Sequence, residues 1–135
     1  MKVVIDSNIF ISSFFWGGHP REVFERIVNG LDELFIADEI LNEIVTVMSS
    51  NKFAANGSEI ESYIRIIEKY SKKLILKNIS KSISRDKDDD TIIQCGLDGN
   101  VDFIITGDKD LLVIREYGNI KIINPKDYLE LLKNV

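Results

Sequence analysis

The 135-residue sequence is poor in the side chains from which many protein sites are built. It holds one cysteine, Cys95, and one histidine, His19. A single cysteine excludes an internal disulfide and fits a reducing cytoplasm, which is the expected location. One cysteine and one histidine together argue against a zinc centre, which prefers those ligands. A Ser-His-Asp triad would rest wholly on His19, in the turn-like stretch "GGHPRE". There is no Walker-type glycine loop and no GxGxxG, and "WGGH" reads as a flexible turn. The apolar runs are short, so no segment reads as a membrane span, and the N-terminus lacks a signal-peptide pattern.

Acids outnumber bases, 22 to 17, for a net charge of −5, which does not advertise nucleic-acid binding. The bases are unevenly spread. Lys69, Lys72, Lys73, Lys77, Lys81 and Arg85 follow one another with no acid after Lys69 until Asp86. Such a run is either a solvated face or a phosphate-contacting surface.

What is present is an alternation of strand and helix patterns within one domain spanning residues 1–135. "KVVID" (Lys2–Asp6), "ELFIA" (Glu33–Ala37), "KLILK" (Lys73–Lys77), "VDFIIT" (Val101–Thr106) and "NIKIIN" (Asn119–Asn124) read as strands. Between them, Val23, Phe24, Ile27 and Val28 recur at helical spacing, as do Ile40, Leu41, Ile44 and Met48 behind a capping Asp38. Ser58 and Glu61 form a capping-box pattern, and Asn124 with Pro125 opens a closing helix. The expected fold is a three-layer α/β/α sandwich around a central, mainly parallel five-stranded sheet. Ligands of such sheets gather beyond the carboxyl ends of the strands, near a switch in strand order.

Acids stand at those ends. Asp6 closes the first strand, and Asp108 and Asp110 follow the fourth in "IITGDKDLL". Each could instead serve a turn or a helix cap, and one of the latter pair is expected to cap. In "SRDKDDDTIIQCG" four aspartates fall in five positions ahead of a helix. At 100° per residue, Asp89 lies on the stripe centred by Ile92, Ile93, Gly96 and Leu97, with Asp90 to one side. An acid on a buried stripe is expensive unless paired or metal-bound, although a first-turn acid is also favoured by the helix dipole. Glu43 flanks an apolar helix face, and Glu39 points further outward.

Asp6, Glu43, Asp89 and Asp108 cannot sit together uncompensated, because neighbouring like charges raise each other's pKa and a divalent cation removes that cost. An all-carboxylate set suits Mg²⁺ or Mn²⁺. The matching chemistry is metal-assisted phosphodiester hydrolysis. Cys95 reads as core-adjacent filler. Phe14, Phe15 and Trp16 form an aromatic cluster expected to pack in a core or an interface, with base stacking as the alternative.

Together, "VVIDSNIFISSF", "ADEILNEI" and "SRDKDDDTIIQCGLDGNVDFIITGDKDLL" make the chain resemble the PIN-domain family, in its toxin-like branch of single-domain members. The resemblance spans nearly the whole length. It implies an acidic pocket for Mg²⁺ or Mn²⁺ and ribonuclease activity on single-stranded RNA. Asp6 matches the first-strand acid, Glu43 the helix glutamate, Asp89 the third acid and Asp108 the acid of "TGD". Asp90 and Asp110 match accessory ligands, and Asn8 and Thr106 are polar groups that would orient ligands or water. Lys87 stands where this branch often has proline, and the "DGNVD" turn is longer. The resemblance further implies a toxin restrained by a small antitoxin protein, and a homodimer in many members. Two other readings stay open from the residues alone: a catalytically idle RNA- or protein-binding scaffold, and a phospho-receiver-like module, which fits poorly because the third strand ends without an acid.

Overall fold

The computed structural model describes residues 1–53, 55–76 and 87–133, and of Lys87, Asp88 and Asp89 the backbone only. In chain order the elements are β1 (Lys2–Ile5), α1 (Ser7–Phe15), α2 (Gly18–Val28), β2 (Glu33–Ala37), α3 (Asp38–Met48), α4 (Gly57–Lys69) and β3 (Ser71–Leu74). They continue with α5 (Lys87–Gly99), β4 (Phe103–Ile105), α6 (Lys109–Leu112), β5 (Glu116–Tyr117), β6 (Ile120–Ile123) and α7 (Pro125–Lys133).

The strands form one sheet in the order β3-β2-β1-β4-β6-β5, parallel except for the β5–β6 pair. Val3, Val4 and Ile5 pair with Phe103, Ile104 and Ile105 on one side. On the other side Val3 and Val4 pair with Leu34 and Phe35. These residues are all buried, as β-branched and aromatic side chains covered from both faces should be. Successive residues of a strand face opposite ways, so Phe103 and Ile104 mark the two faces of the sheet. Tyr128 of α7 meets Phe103 edge-on at 5.1 Å. Gly96 of α5 lies over Ile104, so closely that a Cβ there would sit 3.0 Å from its Cδ1. Gly99 likewise fits against Phe35 and Leu74. α5 therefore covers one face and α7 the other, where α2 packs beside α7. The three-layer sandwich is as expected.

Several local expectations shift. The sheet has six strands, because the short antiparallel β5 is added at one edge. The residues after Asp6 form α1, where the sequence pattern had suggested only a connection: Ile9, Phe10 and Ile11 are buried together, and apolar residues that crowded blur any helical stripe. β3 occupies Ser71–Leu74, starting two residues before the expected Lys73 and leaving out Ile75 and Leu76, since an edge strand can keep Lys72 and Lys73 in solvent; Lys77 lies outside the described residues. Asp38 is the first residue of α3, with Ala37 at the N-cap. The cap of α4 is Asn56, which accepts from the Glu59 amide at 2.8 Å, so Ser58 and Glu61 form no capping box. Leu97 is 40% exposed, while Cys95 is buried in its place on the inner face of α5. In the basic run, Lys72 pairs with Glu33, and Lys73 with Asp38 and Glu68, as a solvated face would. Lys77, Lys81, Arg85 and Asp86 lie outside the described residues.

A buried acid fastens the helical layer at the amino ends of the strands. The Asp32 side chain is 1% exposed and accepts from Arg26 Nε and from the Tyr128 hydroxyl, both at 2.8 Å. Burial alone would raise its pKa, but the hydrogen bonds from Arg26 and Tyr128 outweigh it and hold the carboxyl below 3.8. Removing one partner of such a pair leaves the other charge uncompensated. Arg26 is 28% exposed and regains some water, so Asp32→Asn is expected to destabilise by about 3 kcal/mol, the low end for a buried pair. Because the folded pKa is depressed, that contribution is complete above 3.8 and is lost as pH falls through the folded value. Urea denaturation at a series of pH values should therefore show the two proteins converging only in strong acid.

Candidate active site at the carboxyl ends of the strands

The order of the sheet reverses at β1: β2 and β3 extend to one side, β4, β6 and β5 to the other. Helices leaving β1 and β4 diverge there, opening a crevice at the carboxyl ends. Two residues project from those ends. The Asp6 amide extends the β1–β4 ladder by donating to the Ile105 carbonyl at 2.9 Å, and the Thr106 amide donates to Ile123 at 3.0 Å. Both backbones are thus pinned where the sheet stops.

Their side chains meet. The Thr106 hydroxyl donates to Asp6 Oδ2 at 2.7 Å and accepts from the Asp108 amide at 3.0 Å. One fully buried hydroxyl therefore aligns the Asp6 carboxylate and the loop that carries Asp108. Asp6 also opens α1: Oδ1 accepts from the Ser7 amide at 2.8 Å, with the Ser7 hydroxyl at 3.5 Å. Asp6 is 6% exposed. Burial pushes its carboxyl above 3.8, and the nearby Asp108 charge adds to this, while the hydrogen bonds from Thr106 and Ser7 pull the other way. Burial wins because these donors are neutral.

Asp108 caps the short helix α6, its Oδ1 accepting from the Asp110 amide at 2.8 Å. Capping does not exhaust it, since an ionised carboxylate offers about four lone-pair positions. Asp108 and Asp110 are both half-buried. Asn8 lies exposed in the first turn of α1, and Glu43 is half-buried on α3, a helix that packs against both α1 and α5. Asp90 is 4% exposed, although helical phase placed it to the side of the apolar stripe. The backbone of Asp89 lies in the first turn of α5, and its side chain is outside the described residues. Among the described residues, no three of His, Cys, Asp and Glu converge as a metal-binding group. The structure thus joins Asp6, Thr106 and Asp108 directly and adds Ser7, which the sequence pattern did not single out. Ser7 carried one weak signal, a small hydroxyl residue next to a strand-end acid.

Other features are chemically quieter. Cys95 is buried, and burial pushes its thiol up to about 12, too high for a nucleophile. His19 is exposed in the first turn of α2. A concavity of about 1010 Å³ lies at the opposite, amino ends of the strands. Its acids are already engaged: Asp32 as described, Glu33 by Lys72, and Asp102 by the Lys2 amide at 2.9 Å.

A PIN-domain family model matches residues 2–110, which takes in β1 through the start of α6, with Asp6, Thr106 and Asp108 among them. The chain belongs to the PIN-domain family. An uncharacterised protein of Methanocaldococcus jannaschii is 28% identical over 141 residues, covering 96% of this chain and 90% of that protein. The solved structure of VapBC2 from Rickettsia felis, bound to a DNA fragment from their promoter, contains a chain of the same fold. It superposes with a TM-score of 0.64 at 15% identity, covering 92% of this chain and 98% of that one. Among the described residues no helix is long and apolar enough to cross a membrane.

The PIN crevice has a thermodynamic signature. The Asp6 pKa is raised on folding, so the carboxyl opposes stability once ionised. That penalty is absent below 3.8, grows as pH rises towards the folded value, and is complete above it. Asp6→Asn keeps an acceptor for Ser7 and removes the charge. It should raise stability on the order of 1 kcal/mol at neutral pH, with the gain vanishing in acid. Added Mn²⁺ should raise the melting temperature of the wild type more than that of the variant. Calorimetry at several pH values, with and without Mn²⁺, checks both.

Proposed function

We propose that this PIN domain is a metal-dependent endoribonuclease that hydrolyses phosphodiester bonds of single-stranded RNA. The observation that supports this best is the Asp6–Thr106–Asp108 arrangement at the switch point of the sheet. A buried carboxylate whose pKa burial and a like charge both raise is poised to gain from a cation. PIN domains are generally nucleases, which agrees.

The donors are all oxygen, and this set fits Mg²⁺ or Mn²⁺ better than zinc or copper. Asp6, Glu43, Asp89 and Asp108 would hold the ion, with Asp90 and Asp110 as accessory acids. Asp89 enters on helical phase and on its match to the family motif. When bound, the ion supplies a water of lowered pKa and offsets negative charge on the phosphate. Thr106 fixes the orientation of Asp6 by donating to Oδ2, which leaves Oδ1 to the Ser7 amide. By accepting from the Asp108 amide the same hydroxyl holds the loop after β4 that carries Asp108. Asn8, in the first turn of α1, would orient a water or a phosphate oxygen.

The toxin of a toxin–antitoxin pair, restrained by a small antitoxin protein, is the biological role this reading carries. The motif resemblance supports it, and so does the shared fold with a chain of the VapBC2 assembly. A cytoplasmic location and a homodimer belong to the same proposal.

Incubation with assorted single-stranded RNAs tests the chemistry. Cleavage is expected with Mg²⁺ or Mn²⁺ and should cease with EDTA. Asp6→Asn and Asp89→Asn should each lower the rate by more than about a hundredfold, beyond the loss typical of removing an outer partner of a metal ligand. Equal rates in wild type and variants would sink the site, and undiminished cleavage in EDTA would sink the metal mechanism. A protein that binds RNA under all conditions without cutting it would be a scaffold.

A further inference from the structure

The end of α1 remote from Asp6 carries a cluster that the acidic crevice does not use. Trp16, the sole tryptophan, is 68% exposed. Its ring lies 5.7 Å from Phe15 and 5.7 Å from Phe53, and Phe15 stacks on Phe53 at 5.0 Å with 20° between the planes. Lys52 holds its ammonium 5.4 Å from the centre of the Phe53 ring. The three rings come from two elements, the close of α1 and the turn after α3, and so form a fixed surface.

The charge around this surface is unlike that of the rest of the chain. Residues 7–21 and 44–58, which supply it, contain no aspartate or glutamate, while the protein as a whole carries −5. The charged residues of these two segments are Arg21 and Lys52. Arg21 donates to the Ser13 carbonyl at 2.9 Å, which keeps its guanidinium at the end of α1. An exposed tryptophan backed by two half-buried rings, with Arg21 and Lys52 as the charged residues of its two segments, is complementary to a single-stranded polyanion whose bases are free to stack. α1 starts directly after Asp6 and has nine residues, so the cluster stands about 14 Å from the crevice.

From this the geometry points to a stacking subsite. Phe15, Trp16 and Phe53, with Lys52, take a base of the single strand whose phosphodiester lies at Asp6, and set its path along α1. The inference rests on the nuclease reading for its substrate, and its binding test does not depend on cleavage.

In EDTA, titration with a single-stranded oligouridylate should quench Trp16 fluorescence, and a duplex of equal length should not. With a fluorescein-labelled strand read by anisotropy, Trp16→Ala should bind roughly 5- to 150-fold more weakly, the loss of one base–aromatic stack. Trp16→Phe should bind nearly as well as wild type, and Lys52→Ala should weaken binding and flatten its salt dependence. In the cleavage assay Trp16→Ala should raise KM and leave kcat nearly unchanged. Unaltered affinity and KM in Trp16→Ala would overturn the subsite while leaving the nuclease intact. Quenching without cleavage by the metal-loaded protein would remove the nuclease and keep the subsite. A blue shift of Trp16 emission on raising protein concentration, with no response to RNA, would overturn it in favour of an interface between copies.

Discussion

The pairing of β1 with β4 is the constraint on which the candidate site of this molecule depends. It aligns Val3–Ile5 with Phe103–Ile105 and carries on one hydrogen bond further, from the Asp6 amide to Ile105. Asp6 and Thr106 are 100 positions apart in the chain, and their 2.7 Å hydrogen bond exists only because this register is kept. Val3, Val4 and Ile5 are buried between the two helical layers, and their close packing holds the register that brings Asp6 to Thr106. The close fit of Gly96 on Ile104, and of Gly99 on Phe35 and Leu74, presses α5 onto one face of the sheet across β4, β2 and β3.

Two buried aspartates at opposite ends of the sheet differ in how their charge is met. Asp32 receives a guanidinium and a phenol, and its pKa falls. Asp6 receives a serine amide and a threonine hydroxyl, and its pKa rises. Both are almost wholly out of water. The difference lies in the charge of the donors: a cation offsets the desolvation of an anion, and neutral hydrogen bonds offset only part of it. Folding therefore leaves the crevice with an electrostatic deficit that a bound cation can cancel.

The chain also divides its charge by location. Asp6 and Asp108 are joined through Thr106 at the carboxyl ends of the strands, whereas residues 7–21 and 44–58 contain no acid. An acidic protein can approach a polyanion through such a partition, with aromatic contact and local cations at one place and cation-offset carboxylates at another.

The sequence by itself determined the layer architecture, most of the strands, and the placing of Asp6 and Asp108 at strand ends, because β-branched runs bounded by acids have one economical burial in a parallel sheet. It could not reveal α1, whose buried apolar residues Ile9, Phe10 and Ile11 adjoin one another in the chain and so lack a clean period. Nor could it place β3 at Ser71–Leu74, since an edge strand needs little hydrophobic content to pair. Local signals chose the wrong caps for α3 and α4, as several hydroxyl, amide and acid residues competed for each helix start. Phase named the acids of α5, yet the inner face runs through Cys95 and not Leu97, and Asp90 is buried. Only the tertiary structure decided these points, because burial on a helix depends on every neighbouring element, while periodicity records one face.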